Sequence, residues 1–167
     1  MTKMFATLAA LAAFITSAHA AELRYSATLS GADYPSQTNS AATGSATLTI
    51  DTETQTLDAV VTITGIRFDQ LAEHLAHSQV GPMHLHRYQG DDVTLIMPFP
   101  FGATYAETPA GFTVTITDYS YADAAATVGS DLTIDEFVAA LANDPIYLNV
   151  HTNAFADGEI AGRVTQP

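Results

Sequence analysis

An all-β fold is what this sequence predicts: an antiparallel Greek-key β-sandwich or barrel with one or two short helices. Three observations lead there. Segment after segment alternates apolar and polar side chains with the period of two that a half-buried strand requires. Gly, Pro, Asn, Asp and Ser punctuate those segments at short intervals. Only one stretch carries a complete helix-start signal.

The first twenty residues stand apart from the fold. Lys3 supplies a basic start, Phe5 to Ile15 form a short apolar run, and Ala18-His19-Ala20 has the small-x-small form of a signal-peptidase site. The expected mature chain begins at Ala21. Cleavage after Ala18 would instead leave His19 at the terminus, where amine and ring together chelate copper. The apolar run is short for a membrane span, and no later stretch is apolar enough. A periplasmic or secreted protein without membrane insertion is expected, with residues 21–167 as a single domain.

Composition narrows the chemistry. There is no cysteine, which removes disulfides, thiolate metal sites and thiol redox motifs. The chain carries a formal net charge of −13, and without Lys3 its only strong cations are arginines facing 18 carboxylates. Nucleic acid and anionic membranes, which need basic patches, are poor partners.

Taken in order, Leu23 to Leu29 alternates as a strand, and Gly31 to Thr43 reads as a long loop rich in Gly, Ser, Asn and Pro. Ser45 to Ile50 and Thr56 to Ile66 form a hairpin about the turn Asp51 to Gln55. Phe68, Leu71, Ala72 and Leu75 recur at helical spacing, so Phe68 to His77 is expected as a short helix carrying His74 and His77. After Gly81-Pro82 comes the strand Met83 to Tyr88, then Val93 to Met97. Pro98 to Gly102 is expected as an irregular loop bearing Phe99 and Phe101. Phe112 to Thr117 alternates again, and Asp118 to Gly129 reads as loop with room for a turn of helix. Thr133 and Glu136 form a capping box, with Leu132 and Phe137 as a staple, for a helix ending near Asn143 before Pro145. Tyr147 to Thr152 and Gly158 to Val164 close the chain as two strands.

Two strands share a layout with chemical meaning. Met83 and Leu85 face one way and His84, His86 and Tyr88 the other; Leu148 and Val150 oppose Tyr147, Asn149 and His151. With both apolar faces in one core, three imidazoles lie on the outside of the sheet. Imidazoles at i and i+2 of a strand, joined by a third from a neighbouring strand, suit copper or zinc, whereas calcium and magnesium prefer oxygen. His84, His86 and His151 are the candidate ligands, with His74 and His77 as further candidates. Tyr88, Asp91 and Glu159 are candidates for orienting a ligand. A lone exposed histidine is ordinarily a surface residue, so the reading requires the two strands to meet. Met83 and Met97 are read as core.

Tyr147-x-Asn149-Val150-His151-Thr152 followed by Gly158-Glu159-Ile160 and Gly162 resembles the closing signature of the CHRD domain, named after chordin and common in exported bacterial proteins. His84-Leu85-His86 resembles that family's His-x-His strand, and Leu29-Ser30-Gly31 and Gly44 to Leu48 its N-terminal part. The chain departs at Ala156, where Pro is frequent, at Ala161, where Arg is, and at Arg87, where Gly is; Phe68 to His77 looks like an addition. The resemblance implies a Greek-key β-sandwich with some likeness to copper–zinc superoxide dismutases, which hold copper on the outside of a barrel with a His-x-His strand and further histidines.

Three functions follow as expectations. The first is a metal-binding protein, copper favoured over zinc, for binding, storage or delivery of the ion. The second is a non-catalytic module recognising protein or glycan partners, with structural histidines. The third is a copper oxidoreductase resembling superoxide dismutase. No Ser-His-Asp order, nucleophile elbow or phosphate-cradling loop argues for other catalysis. A histidine site shared across a homodimer, or a periplasmic protein partner, is compatible with the same residues. Ligation by neutral imidazole makes metal affinity fall below about pH 6.

Overall fold

The computed structural model describes residues 22–32 and 34–167; the leader read at residues 1–20, including His19, lies outside the described residues. The elements are β1 (Glu22–Ser30), β2 (Thr43–Asp51), β3 (Thr56–Thr64), a 3-10 turn (Phe68–Gln70), α1 (Glu73–Ala76), β4 (Met83–Gln89) and β5 (Asp92–Phe99). There follow β6 (Tyr105–Thr108), β7 (Gly111–Ser120), α2 (Tyr121–Val128), α3 (Ile134–Asn143), β8 (Ile146–Val150) and β9 (Ile160–Arg163). The described residues hold no helix long and apolar enough to cross a membrane.

All nine strands join one antiparallel sheet in the order β5-β4-β8-β9-β1-β2-β3-β7-β6. The chain crosses three times between the β5-β4-β8-β9 half and the other half, which gives the non-local connectivity expected of a Greek key. The sheet curls around a single core. Side chains of β5 (Ile96, Phe99) and β6 (Tyr105), from the two ends of the strand order, belong to the same buried cluster, and the Tyr105 hydroxyl donates to the Phe99 carbonyl at 2.8 Å. Helix α2 packs against both β5 and β7 and covers the gap between the ends.

In β1, β2 and β3 the alternation of the sequence becomes an alternation of burial: Tyr25, Ala27 and Leu29 face inward while Arg24, Ser26 and Thr28 face solvent. The other half differs. Met83, His84 and Leu85 are all buried, as are Leu148, Asn149 and Val150. Both faces of β4 and β8 are therefore covered, the inner by the core and the outer by loops.

Several local expectations are corrected. Phe68 to His77 is not one helix but a 3-10 turn and a single helical turn. Leu71 interrupts them because it pairs with Thr152 and is 2% exposed; tertiary pairing overrides local spacing. Pro98 and Phe99 lie inside β5 rather than in a loop. Proline is tolerated there because β5 is an edge strand, where a missing N–H leaves no ladder bond unmade. Tyr105 to Thr108 forms an edge strand too short to show a period. Asp118 to Gly129 is the end of β7 followed by α2, whose start is capped by Ser120 accepting from the Asp123 N–H. Its end is Gly129 in the left-handed region at φ 65°.

Helix α3 forms as its sequence dictates: Thr133 Oγ1 accepts from the Glu136 N–H at 3.3 Å, and Glu136 Oε2 accepts from the Thr133 N–H at 2.8 Å. Its Phe137 is fully buried, 5.1 Å from the Tyr121 ring. The cap is local and the ring is held by the core, so the two changes separate in size. Chemical denaturation should show Phe137→Ala costing about 3–5 kcal/mol and Thr133→Ala about 1 kcal/mol; equal losses would mean the helix is held by its cap rather than its packing.

Candidate metal centre

The register between β4 and β8 builds the centre. Met83 pairs with Val150, His84 with Asn149, Leu85 with Leu148 and His86 with Tyr147. His151, just past β8, continues the ladder by donating its N–H to the Pro82 carbonyl at 2.8 Å. His84 and His151 thus become diagonal neighbours on one face, within reach of each other's rings. Opposite β4, Ile96 is an extra residue in β5, since Leu85 pairs with Met97 and His86 with Leu95.

The three imidazoles meet. The His84 and His151 rings stack at 4.4 Å between centroids, His84 and His86 lie edge-on at 4.6 Å, and His86 and His151 at 5.7 Å. Each offers one nitrogen, and those nitrogens all lie within 4.8 Å of one another. Bonds of about 2.0–2.1 Å from a common ion put opposed nitrogens about 4 Å apart, so small side-chain rotations suffice to close the set.

Two carbonyls settle which nitrogens are available. His84 Nδ1 lies 3.2 Å from the Gly81 carbonyl, and His151 Nδ1 lies 2.7 Å from that of Ala156. A carbonyl only accepts, so both Nδ1 atoms carry the hydrogen and both Nε2 atoms keep a lone pair. His151 Nε2 and His86 Nδ1 are buried without any hydrogen-bond partner among the described residues. Gly81 earns its place twice: its φ is 73°, and a Cβ there would meet the Phe99 backbone.

The site is neutral. Burial holds the His84 imidazole down at about 3, with His151 and His86 adding repulsion and the Gly81 carbonyl opposing. Burial likewise holds His86 at about 4, with His151 contributing. His151 is pulled below its ordinary value by burial, against the Ala156 carbonyl and the Asp157 carboxylate, which favour its charged form. The expectation that the three rings lie on the face opposite the core holds, but not as an open surface: His84 is 3% and His151 6% exposed. Tyr34 and Pro35 of the loop before β2, with Ala156 and Asp157 of the turn after β8, stand beside the rings, and the loop is tied to that turn. Thr38 Oγ1 donates to the Glu159 carbonyl at 2.7 Å, and Ser40 Oγ to the Glu159 carboxylate at 2.6 Å.

With this geometry in view, the comparison with known families is decisive: the CHRD domain matches residues 25–164. The chain belongs to the CHRD domain family. No curated protein and no solved structure matches it.

The closing signature of this CHRD domain can now be read physically. Asn149 is fully buried beside His84 and donates from Nδ2 to the Tyr88 hydroxyl at 3.2 Å. Gly158, at φ 113°, brings the backbone against the Asn149 side chain, where a Cβ would sit 3.2 Å from Nδ2. Glu159 clamps the covering loop through Ser40, and its carboxylate bonds no imidazole among the described residues. Tyr88 lies 6.1 Å from the His86 ring. Asp91 is exposed in the β4–β5 turn. His74 on α1 and His77 at its C-terminal cap are exposed and fall outside the three-histidine group, although His74 is near enough to disfavour charge on His151.

What the sequence did not point to is a cleft of about 400 Å³ beside the trio, lined by Tyr34, Pro35, His86, Tyr88, Val93, His151, Ala156 and Asp157. Tyr34 comes from the long loop and packs edge-on against Tyr88 and Tyr147, 5.4 Å from each. Only the composition of that loop hinted at a role, since an aromatic residue beside proline in a polar segment has something to pack against.

Neutral burial fixes how the metal-free protein responds to acid. Above pH 6.5 the histidines are neutral folded or unfolded. Below it the unfolded chain takes up protons that folded His84 refuses until about pH 3 and His86 until about pH 4. Stability is therefore fully present above 6.5 and lost as pH falls, each histidine contributing up to about 1.4 kcal/mol per pH unit. Urea midpoints in metal-free buffer should decline steadily from about pH 6.5 to 5, above the range where ordinary carboxylates titrate. A flat midpoint there would contradict the neutral, buried trio.

Proposed function

We propose that this protein is an exported metal-binding protein, copper favoured over zinc, in which His84, His86 and His151 hold the ion for binding, storage or delivery. The observation that carries the reading is convergence. Three neutral imidazoles from β4 and the end of β8 offer nitrogens within 4.8 Å of one another, and two of those rings keep buried nitrogens with no partner. An unpartnered buried acceptor costs about 1–3 kcal/mol, and a soft-to-borderline cation is what relieves it at this spacing. Copper(II) stands above zinc in intrinsic affinity for nitrogen donors. The Gly81 and Ala156 carbonyls orient their imidazoles as outer partners of metal-bound histidines do. All three ligands come from one chain, so a second copy is not required to complete the set. The leader at residues 1–20 supports export to the periplasm or beyond.

A binding role is favoured over turnover of superoxide. An anionic substrate needs a cationic approach, yet among the described residues the side chain that brings formal charge to the cleft is Asp157. Arg87, next to His86 in sequence, points to the other face and pairs with Asp144 at 2.6 Å.

Copper(II) titration of the mature protein, followed by paramagnetic resonance, tests the reading. Nitrogen hyperfine coupling is expected, and His84→Ala and His151→Ala should each weaken affinity by about 100-fold or more, beyond the roughly 10–100-fold typical of outer partners. Unchanged affinity in both variants would overturn the site. The acid limit moves from the expected pH 6, because burial holds His84 at about 3 and His86 at about 4. Copper should stay bound at pH 5 and leave near pH 4; loss centred at pH 6 would mean solvated imidazoles.

A further inference from the structure

The cleft beside the trio has a chemistry of its own. Its volume of about 400 Å³ falls in the range of small-molecule sites, about 300–1,000 Å³. It exceeds the roughly 150 Å³ that accepts a benzene ring. Tyr34, Pro35, Tyr88, Val93 and Ala156 give it apolar and aromatic walls. Val93 is 52% and Tyr34 48% exposed, so two of the large apolar side chains that the fold leaves to solvent stand at the cleft. Of the three histidines, His86 and His151 line it and His84 does not. A further donor seated in this opening would lie beside two of the three rings that could hold an ion. Among the described residues the carboxylate lining the cleft, Asp157, disfavours anions, as does a chain of net charge −13.

We propose that this cleft binds a small flat aromatic compound, neutral or singly cationic, whose nitrogen donor completes the coordination of the histidine-held ion. The tyrosine and proline walls take the ring by stacking and apolar contact, and the lone pair of the guest takes the position that the three histidines leave. The proposal rests on the metal-binding reading for its donor step; the ring contacts belong to the cleft alone.

The test uses the mature protein with 4-phenylimidazole as probe and imidazole and azide as controls, measured by calorimetry and by the paramagnetic resonance of bound copper. Expected is at least tenfold tighter binding of 4-phenylimidazole than of imidazole to the copper-loaded protein, weak binding of azide, and full retention of copper. Val93→Trp, which fills the cleft without touching a ligand, should abolish the tenfold gain while leaving copper affinity within twofold. Val60→Trp, on a comparably exposed valine of β3 (54%), should keep the gain. Equal affinity for the two imidazoles, a gain that survives Val93→Trp, or loss of copper on adding the probe would each overturn the proposal. Should copper fail to bind, the metal reading alone falls, and calorimetry of the metal-free protein decides the cleft: heat of 4-phenylimidazole binding that Val93→Trp removes supports it, and no such heat overturns it.

Discussion

Strand β8 lies hydrogen-bonded between β4 and β9, and its register against β4 is the constraint on which the rest of the centre depends. Because side chains alternate along a strand, a slip of one residue would send Asn149 into the core and carry His151 away from His84. The register is pinned from several sides. Leu148 and Val150 have no exposure and fix the inner face. The Glu159 N–H donates to the Val150 carbonyl at 2.7 Å, and the Ala72 N–H to that of His151 at 3.0 Å. Both polar groups of the His151 backbone are thereby tied, one to the residue preceding β4 and one to the segment preceding α1. A histidine at a strand end would ordinarily fray; this one is held as firmly as a residue in mid-ladder.

That rigidity has an energetic consequence. Stacking two imidazoles at 4.4 Å and enclosing a third excludes water from lone pairs that no protein donor meets. Two buried nitrogens without partners among the described residues, together with the unpartnered Oδ1 of Asn149, bring unsatisfied polarity into one small region; the Tyr25 hydroxyl and Arg87 Nε are unpartnered elsewhere in the strands. Polar groups at these positions do not improve the stability of the metal-free fold; apolar residues of like shape would be neutral or better. The arrangement is one whose deficit a ligand would meet, and the same preorganisation means that little rearrangement would be needed for it to bind.

Much of this was legible in the residues. The alternation in β1 to β3, the capping box of α3, the phase of Met83-His84-Leu85-His86 and that of Leu148-Asn149-Val150-His151 are local patterns, set by which side chains share a face or a turn, and they survive folding. The meeting of the two histidine strands was not local, since residues 84 and 151 are far apart in sequence and only pairing joins them. Burial of the histidine face was missed for a related reason. It depends on Tyr34, Thr38 and Ser40 folding over β8 and β9 through Glu159, and an irregular loop has no period from which its position follows. Phe68 to His77 misled in the opposite sense: its helical spacing is real, but the bridge of Leu71 to Thr152 outweighs one turn of helix propensity.

Electrostatics act on two scales here, and they cooperate. At long range the acidic chain concentrates cations near its surface, an effect screened beyond about 8–10 Å at physiological ionic strength. At short range the trio is uncharged, because burial outweighs every contact that would favour protonation. A site made of carboxylates would bind hard cations and release them gradually as pH fell. Buried neutral imidazoles instead exclude hard ions by donor type, and they resist proton competition until solvent is acidic enough to charge a ring in a low-dielectric enclosure. The covering loop is therefore part of what keeps the trio uncharged. Opening it would rehydrate the rings and restore their ordinary basicity, so the clamp from Ser40 and Thr38 to Glu159 bears on the protonation of the trio without touching it.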